Sequence, residues 1–202
     1  MTSPDPAPRA WPKKTLAGVV GVGVAVALGI AIPSEESGRK VEATIGKQGE
    51  LQIRPISGRQ YLRAYLDAVG VATACDGLTS YRGRKVRITD SFTEAQCASM
   101  LEEELIVHAE GVMACSPGLA LSAIPAVEKR REGPRFAAVS GAYNYGVRLY
   151  CTSTARARFN AGNYAGGCVA LTWFNKAGGR VLPGLVNRRE RERRKCVGGL
   201  AA

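Results

Sequence analysis

The chain has 202 residues, 46% of them hydrophobic, and a formal net charge of +11. That length allows one ordinary domain with appendages, and the apolar fraction excludes global disorder. The charge favours an anionic partner such as a phospholipid surface or a cell-wall polymer, whereas the absence of zinc-finger spacing and base-stacking motifs gives no reason to expect nucleic acid.

Pro4, Pro6, Pro8 and Pro12 make residues 1–15 a short flexible tail. Residues 16–32 are uninterrupted by charge, with Arg9, Lys13 and Lys14 before them and Glu35 and Glu36 after them. Positive charge stays in the cytoplasm, so residues 1–15 are expected inside and everything after residue 32 beyond the inner membrane. As a helix this segment reaches about 26 Å, a little short of a ~30 Å hydrocarbon core. Gly18, Gly21, Gly23 and Gly29 further weaken its hold on lipid. Three readings compete: a signal peptide cut after Gly29-Ile30-Ala31, a permanent anchor, and a weak anchor that later leaves the bilayer. Residues 33–57 are polar and contain Gly38, Gly46 and Gly49, which predicts a linker with one short strand around Leu51, Gln52 and Ile53.

Residues 61–88 are rich in Tyr, Val and Thr and punctuated by Gly70, Gly77 and Gly83, a hairpin pattern that places Asp67 and Thr73 on a small sheet or its turns. Thr93-Glu94-Ala95-Gln96 fits a capping box, and Cys97, Met100, Leu101, Leu105 and Ile106 follow at helical spacing. Glu102, Glu103 and Glu104 are expected on the solvated face. Pro117, Pro125 and Pro134 argue against one long helix through the middle. Residues 136–145 read as a buried central helix. Ser153 or Thr154 caps a short one that Gly162 ends, residues 164–177 form another that Gly178-Gly179 stops, and residues 183–196 form a strongly basic last helix. Strands followed by several helices make an α+β pattern.

Six cysteines, Cys75, Cys97, Cys115, Cys151, Cys168 and Cys196, are many for a reduced compartment. No close Cys-x-x-Cys pair is present and His108 is the sole histidine, so disulfides are expected and a metal is not. Six cysteines leave fifteen connectivities open.

The run Ala64-Tyr65-Leu66-Asp67-Ala68-Val69-Gly70-Val71-Ala72-Thr73 carries the strongest signal in the chain. It is joined downstream by Ala142-Tyr143-Asn144-Tyr145-Gly146, by Trp173-Phe174-Asn175-Lys176-Ala177-Gly178-Gly179, by Gly184-Leu185 and by Arg188-Arg189. Together they resemble the phage lysozyme (endolysin) family of glycoside hydrolases over residues 58–196. The resemblance implies a lysozyme-like α+β domain at residues 58–202 with a small antiparallel sheet and several helices. Residues 16–32 would then be a signal-anchor-release segment, anchored in the host inner membrane with the later chain in the periplasm and afterwards released. It implies a monomeric, cofactor-free N-acetylmuramidase that acts on peptidoglycan in host lysis. It also implies the pairs Cys75–Cys97 and Cys168–Cys196, leaving Cys115 with Cys151.

Two carboxyl roles are needed for glycoside cleavage: a protonated acid for the leaving oxygen and an ionised carboxylate for water or the cationic sugar. By resemblance Asp67 takes the second role and Thr73 helps hold the water, while Tyr143, Ser153 and Asn175 lie where relatives line the sugar cleft. The family carries its acid nine positions before the aspartate, which here is Gly58, preceded by Ser57. The general acid is thus unassigned; Glu50 and Asp76 are the carboxylates considered in its place, and a catalytically silent homologue that binds glycan or regulates a true endolysin is the alternative. The cationic run from Arg188 to Lys195 offers a surface for anionic wall or lipid.

Overall fold

Residues 16–32 fold as the front of a bent helix pair: α1 (Leu16–Val20) and α2 (Val22–Ser37), broken at Gly21. Gly21 has φ +86°, which glycine adopts without the penalty of a Cβ. The break frees the carbonyl of Val20, and the buried Arg135 guanidinium donates to it at 2.9 Å. Leu16, Val20, Val24, Leu28 and Ile32 recur every fourth residue and are buried in the domain core. Burying such side chains is worth ~1.5–3 kcal/mol each as an upper estimate, on the scale that makes a protein core a rival to lipid. Among the described residues no helix is long and apolar enough to cross a membrane. The computed structural model describes residues 14–67 and 70–200; the proline-rich tail, apart from Lys14 and Thr15, lies outside them.

The expected linker is ordered. α2 runs on to Ser37 and stops at the left-handed Gly38 (φ +68°), and an antiparallel hairpin follows, β1 (Lys40–Ile45) with β2 (Leu51–Ser57). Val41, Ala43 and Leu51 are buried beneath it, so residues 33–57 form part of the domain rather than a tether to it. The register pairs Lys40 with Ser57, and this brings the two ends of the hairpin together.

The small sheet is a set of two-stranded hairpins. β3 (Tyr61–Leu66) pairs with β4 (Ala72–Cys75), β5 (Ser80–Tyr81) with β6 (Arg84–Lys85), and β7 (Lys176–Ala177) with β8 (Arg180–Val181). The helices are α3 (Glu94–Cys115), α4 (Pro125–Tyr145), α5 (Val147–Cys151), α6 (Thr154–Asn160), α7 (Tyr164–Leu171) and α8 (Pro183–Val197). α3 opens with the expected capping box: Thr93 Oγ1 accepts from the Gln96 amide, and Gln96 Oε1 accepts from the Thr93 amide. Ser153 caps α6, its hydroxyl accepting from the Arg156 amide at 3.1 Å.

Three expectations are corrected. α4 continues through Pro134, because the run from Pro134 to Ala142 is wholly buried and that packing outweighs the lost helical hydrogen bond. α7 ends at Leu171, and Gly178-Gly179 turn a hairpin instead of stopping a helix; both have positive φ, as a tight two-residue hairpin turn demands. Glu102 is no solvated carboxylate: it accepts from the Leu16 amide at 3.2 Å and the Leu51 amide at 3.0 Å, tying α1 and β2 to α3. The disulfides are Cys75–Cys97, Cys115–Cys151 and Cys168–Cys196, the pairing that the resemblance implies. They fasten β4 to α3, α3 to α5, and α7 to α8.

Candidate active site

Asp67 closes β3 at the tip of the β3–β4 hairpin. Its amide donates to the Val71 carbonyl at 3.0 Å, and its carboxylate accepts from the Val71 amide at 2.8 Å. Thr73 lies on β4 opposite Tyr65; it is buried, and its hydroxyl donates to the Val71 carbonyl at 3.1 Å. One hairpin therefore carries both residues, with Asp67 half-buried at the turn and Thr73 beneath it.

Gly58 holds no reactive group and has no room for one. It has φ +93°, and a Cβ there would stand 2.9 Å from the Arg39 Cα. The contact is informative. Because the β1–β2 hairpin leaves and returns, Gly58 sits against Arg39, two residues past the end of α2, so the position where an acid is expected lies close in space to α2's C-terminus. The last turn of α2 carries Glu36. Its carboxylate is bound by Arg188 Nη1 at 2.7 Å, and a Cβ on Gly77 would come within 4.0 Å of Glu36 Oε2. Glu36 thus faces the loop at the end of β4, the strand that bears Thr73.

Tyr143 on α4 belongs to the same cluster. Burial pushes its phenol upward, the carboxylates of Glu36, Glu104 and Asp76 push the same way, and Arg188 opposes them. Its ring packs against His108 at a centroid distance of 5.1 Å. The other two residues named for the sugar cleft have local structural duties. Ser153 is the cap of α6. Asn175 accepts from the Leu182 amide through its carbonyl, and it lines a depression with Val169, Thr172, Val186, Glu190 and Arg193, none of them a member of the Glu36 cluster.

The two carboxylates considered for the acid role are otherwise engaged. Glu50 accepts from the Gln48 amide and Gln52 Nε2 at the hairpin turn. Asp76 is buried with both oxygens bound by Arg39, at 2.8 and 2.6 Å.

The basic helix α8 is not the free cationic face its composition suggests. Arg188 and Arg189 are buried and meet Glu192, which is itself buried and hydrogen-bonded by Ser140 at 2.8 Å. Arg191 makes two 2.7 Å bonds to Glu35, and Arg193 and Arg194 share Glu190. Burial raises the Glu192 carboxyl against the pull of Arg189, whereas the Arg191 hydrogen bond holds Glu35 below its ordinary value.

Sequence reasoning missed Glu36 because it stood as a flank of the apolar segment. The available signal was Glu35-Glu36-Ser37-Gly38, an acidic pair one residue before a helix-stopping glycine.

The family described as Phage lysozyme matches residues 58–192. The SAR-endolysin of Bacteriophage PS119 is 35% identical over 144 residues, 71% of this chain and 78% of that protein. The SAR-endolysin of Enterobacteria phage P21 is 33% identical over 144 residues, 71% of this chain and 79% of that protein. Among solved structures, the active form of P1 phage endolysin Lyz superposes with a TM-score of 0.63 at 20% identity, covering 92% of each chain. The endolysin from Escherichia coli O157:H7 phage FAHEc1 gives a TM-score of 0.61 at 23% identity, over 84% of this chain and 90% of that one. Both likenesses are of fold. The 92% coverage reaches beyond the family match at residues 58–192, so the shared architecture takes in N-terminal elements as well.

Proposed function

The chain belongs to the phage lysozyme family, and on that premise we propose that it is an active N-acetylmuramidase whose general acid is Glu36. The observation that carries the reading is the position of Glu36: at the end of α2, paired with Arg188, and facing Gly77 at the end of the β4 strand that bears Thr73.

Glu36, when protonated, gives its proton to the glycosidic oxygen as the bond to N-acetylmuramic acid breaks. Arg188 fixes the direction of the carboxyl group through a charge-assisted hydrogen bond. Asp67, whose carboxylate accepts from the Val71 amide at 2.8 Å, supplies the ionised carboxylate that orients water or stabilises the cationic sugar. Thr73 donates its proton to the Val71 carbonyl, which leaves oxygen lone pairs to receive that water. Tyr143 offers an aromatic wall beside Glu36. Ser153 and Asn175 remain candidate glycan contacts outside the Glu36 cluster.

The N-terminal segment has two habitats in this reading. It first directs the chain into the host inner membrane with the later residues in the periplasm. It then leaves the bilayer and takes up the place of α1 and α2, and this places Glu36. The burial of Leu16, Val20, Val24, Leu28 and Ile32 supports that exchange. The alternative is a silent homologue that binds glycan or regulates a true endolysin; it rests on the vacant acid position at Gly58, and the placement of Glu36 favours the active reading over it. The protein works as a monomer on peptidoglycan.

The test is release of reducing ends from purified peptidoglycan by the full-length protein. Glu36→Gln and Asp67→Asn should each abolish it while leaving the thermal transition in place. Full activity in Glu36→Gln would sink the assignment.

A further inference from the structure

We propose that Asp76 is the positioning residue that locks the acid-bearing end of α2 onto the β3–β4 hairpin. This rests on the reading of Glu36 as the acid.

Asp76 is buried, 1% exposed, and four side-chain donors converge on it. Its Oδ1 accepts from Ser37 Oγ and Arg39 Nε, both at 2.8 Å, and its Oδ2 accepts from Arg39 Nη2 at 2.6 Å and Gln60 Nε2 at 3.3 Å. The sources of these donors matter more than their number. Ser37 and Arg39 flank Gly38, the left-handed residue that ends α2, so Asp76 grips the turn immediately after Glu36 from both sides. Gln60 comes from the entry to β3, which leads to Asp67.

Asp76 itself stands on a fixed base. Cys75 before it is bonded to Cys97 of α3, and Ala74 and Leu78 exchange two backbone hydrogen bonds of 2.9 Å that close the loop around it. Gly77 after it is the residue that faces the Glu36 carboxylate. One carboxylate thus joins the end of α2, the start of β3 and the end of β4. When α2 docks, Arg39 and Ser37 must find Asp76, and Glu36 is then placed against Gly77. Asp76 is a poor proton donor for the reaction, since both its oxygens are already occupied; its work is geometric. The Arg39 guanidinium is as deeply buried as Asp76, and their mutual neutralisation is what allows a polar lock in the core.

A single Asp76→Asn would strand a buried guanidinium, so the test uses Arg39→Met with Asp76→Leu, which removes both charges together. Ser37→Ala is the milder variant: it deletes one bond to Asp76 and leaves the ion pair whole. Glu36→Gln is assayed in parallel, all in the full-length protein, with kcat and KM measured by reducing-end release from soluble glycan strands. The double variant should fold near the wild-type transition temperature, keep its KM, and lose kcat on the order of 100-fold, as a misplaced catalytic group does. Ser37→Ala should lower kcat less, again with unchanged KM. Amide hydrogen exchange should accelerate at Ser37 to Arg39 and nowhere else, a pattern that general destabilisation would not produce. Wild-type kcat in both variants, with Glu36→Gln inactive, overturns the role of Asp76 alone. Activity in Glu36→Gln overturns the acid assignment instead. If the double variant does not fold, Ser37→Ala decides: unchanged kcat refutes the lock, and a kcat loss at unchanged KM and stability supports it.

Discussion

α2 and α8 are compositional opposites that end as partners. α2 is built almost wholly of apolar and small residues until Pro33, whereas α8 is crowded with arginine. Read singly, the first asks for lipid and the second for an anionic surface. In the fold each finds what it asks for inside the same chain. The apolar stripe of α2 enters the core, and its acidic end, Glu35 and Glu36, is taken by Arg191 and Arg188 of α8. Composition states which environment an element needs; it does not say whether that environment lies outside the molecule. The two helices also differ in what holds them. α8 is stapled to α7 through Cys196, and α2 carries no cysteine, so only packing and polar contacts hold it. That arrangement suits the proposed late arrival of α2 from the bilayer.

The largest effect should come from the point where the two helices meet. Glu36→Gln removes the proton but keeps the shape, and loss of general-acid catalysis costs ~10²–10⁴-fold in rate. The check is reducing-end release at matched protein concentration, with the thermal transition unchanged. Next comes the latch on the α2 side. Arg135 bonds the carbonyls of Val20, Leu119 and Ala120 and both oxygens of Glu128. Arg135→Met should cost about 3 kcal/mol, since it takes the side-chain donor from the carbonyls of Val20 and Leu119 and leaves the partly buried Glu128 carboxylate with the Ser122 amide but without its charge partner. Denaturant unfolding measures the loss, and a selective rise in proteolysis within α1 and α2 would locate it. The corresponding change on the α8 side is Cys168→Ala with Cys196→Ala. It opens a loop of 28 residues and should cost about 3 kcal/mol by the chain-entropy account. If α8 is the pre-set partner, this change should loosen Glu36 as well, and kcat should fall without any change in the packing of α2.

What the sequence made legible follows from how local each signal is. The capping box at Thr93 and Gln96, the cap at Ser153 and the hairpin pattern around Asp67 depend on neighbours a few residues away, and each is where it was expected. Pro134 in α4 and Gly178-Gly179 between β7 and β8 were misread because tertiary burial and turn geometry, not propensity, decide them. Glu36, the acid proposed here, is hidden in the sequence for a different reason. A fixed offset to Asp67 assumes an uninterrupted path, and the β1–β2 hairpin lengthens the path while bringing its ends together at Arg39 and Gly58. The same long-range closure explains why Arg188 read as surface charge: its partner stands 152 residues earlier.

The smallest expected effect is a pH dependence on the outer of the two α2–α8 pairs. The hydrogen bond from Arg191 holds the Glu35 carboxyl below its ordinary value of 4.5, with burial opposing and the charges of Arg191, Arg188 and Arg189 adding to the pull. A carboxyl whose folded value is depressed contributes stability above the unfolded value, and that contribution disappears as pH falls through the folded value. Arg191 is well exposed, so screening leaves ~0.5 kcal/mol. Arg191→Gln should therefore lower stability slightly at pH 7 and converge with the parent once pH falls below the folded value of Glu35. Glu128, also depressed, by Arg135, is present in both proteins and cancels in the difference, whereas Glu192, raised by burial so that its contribution runs the other way, also feels the Arg191 charge and adds a smaller change of its own. A difference that stays constant from pH 7 to pH 3 would mean that Arg191 stabilises α8 by packing and that only the inner pair, Glu36 with Arg188, joins the two helices electrostatically.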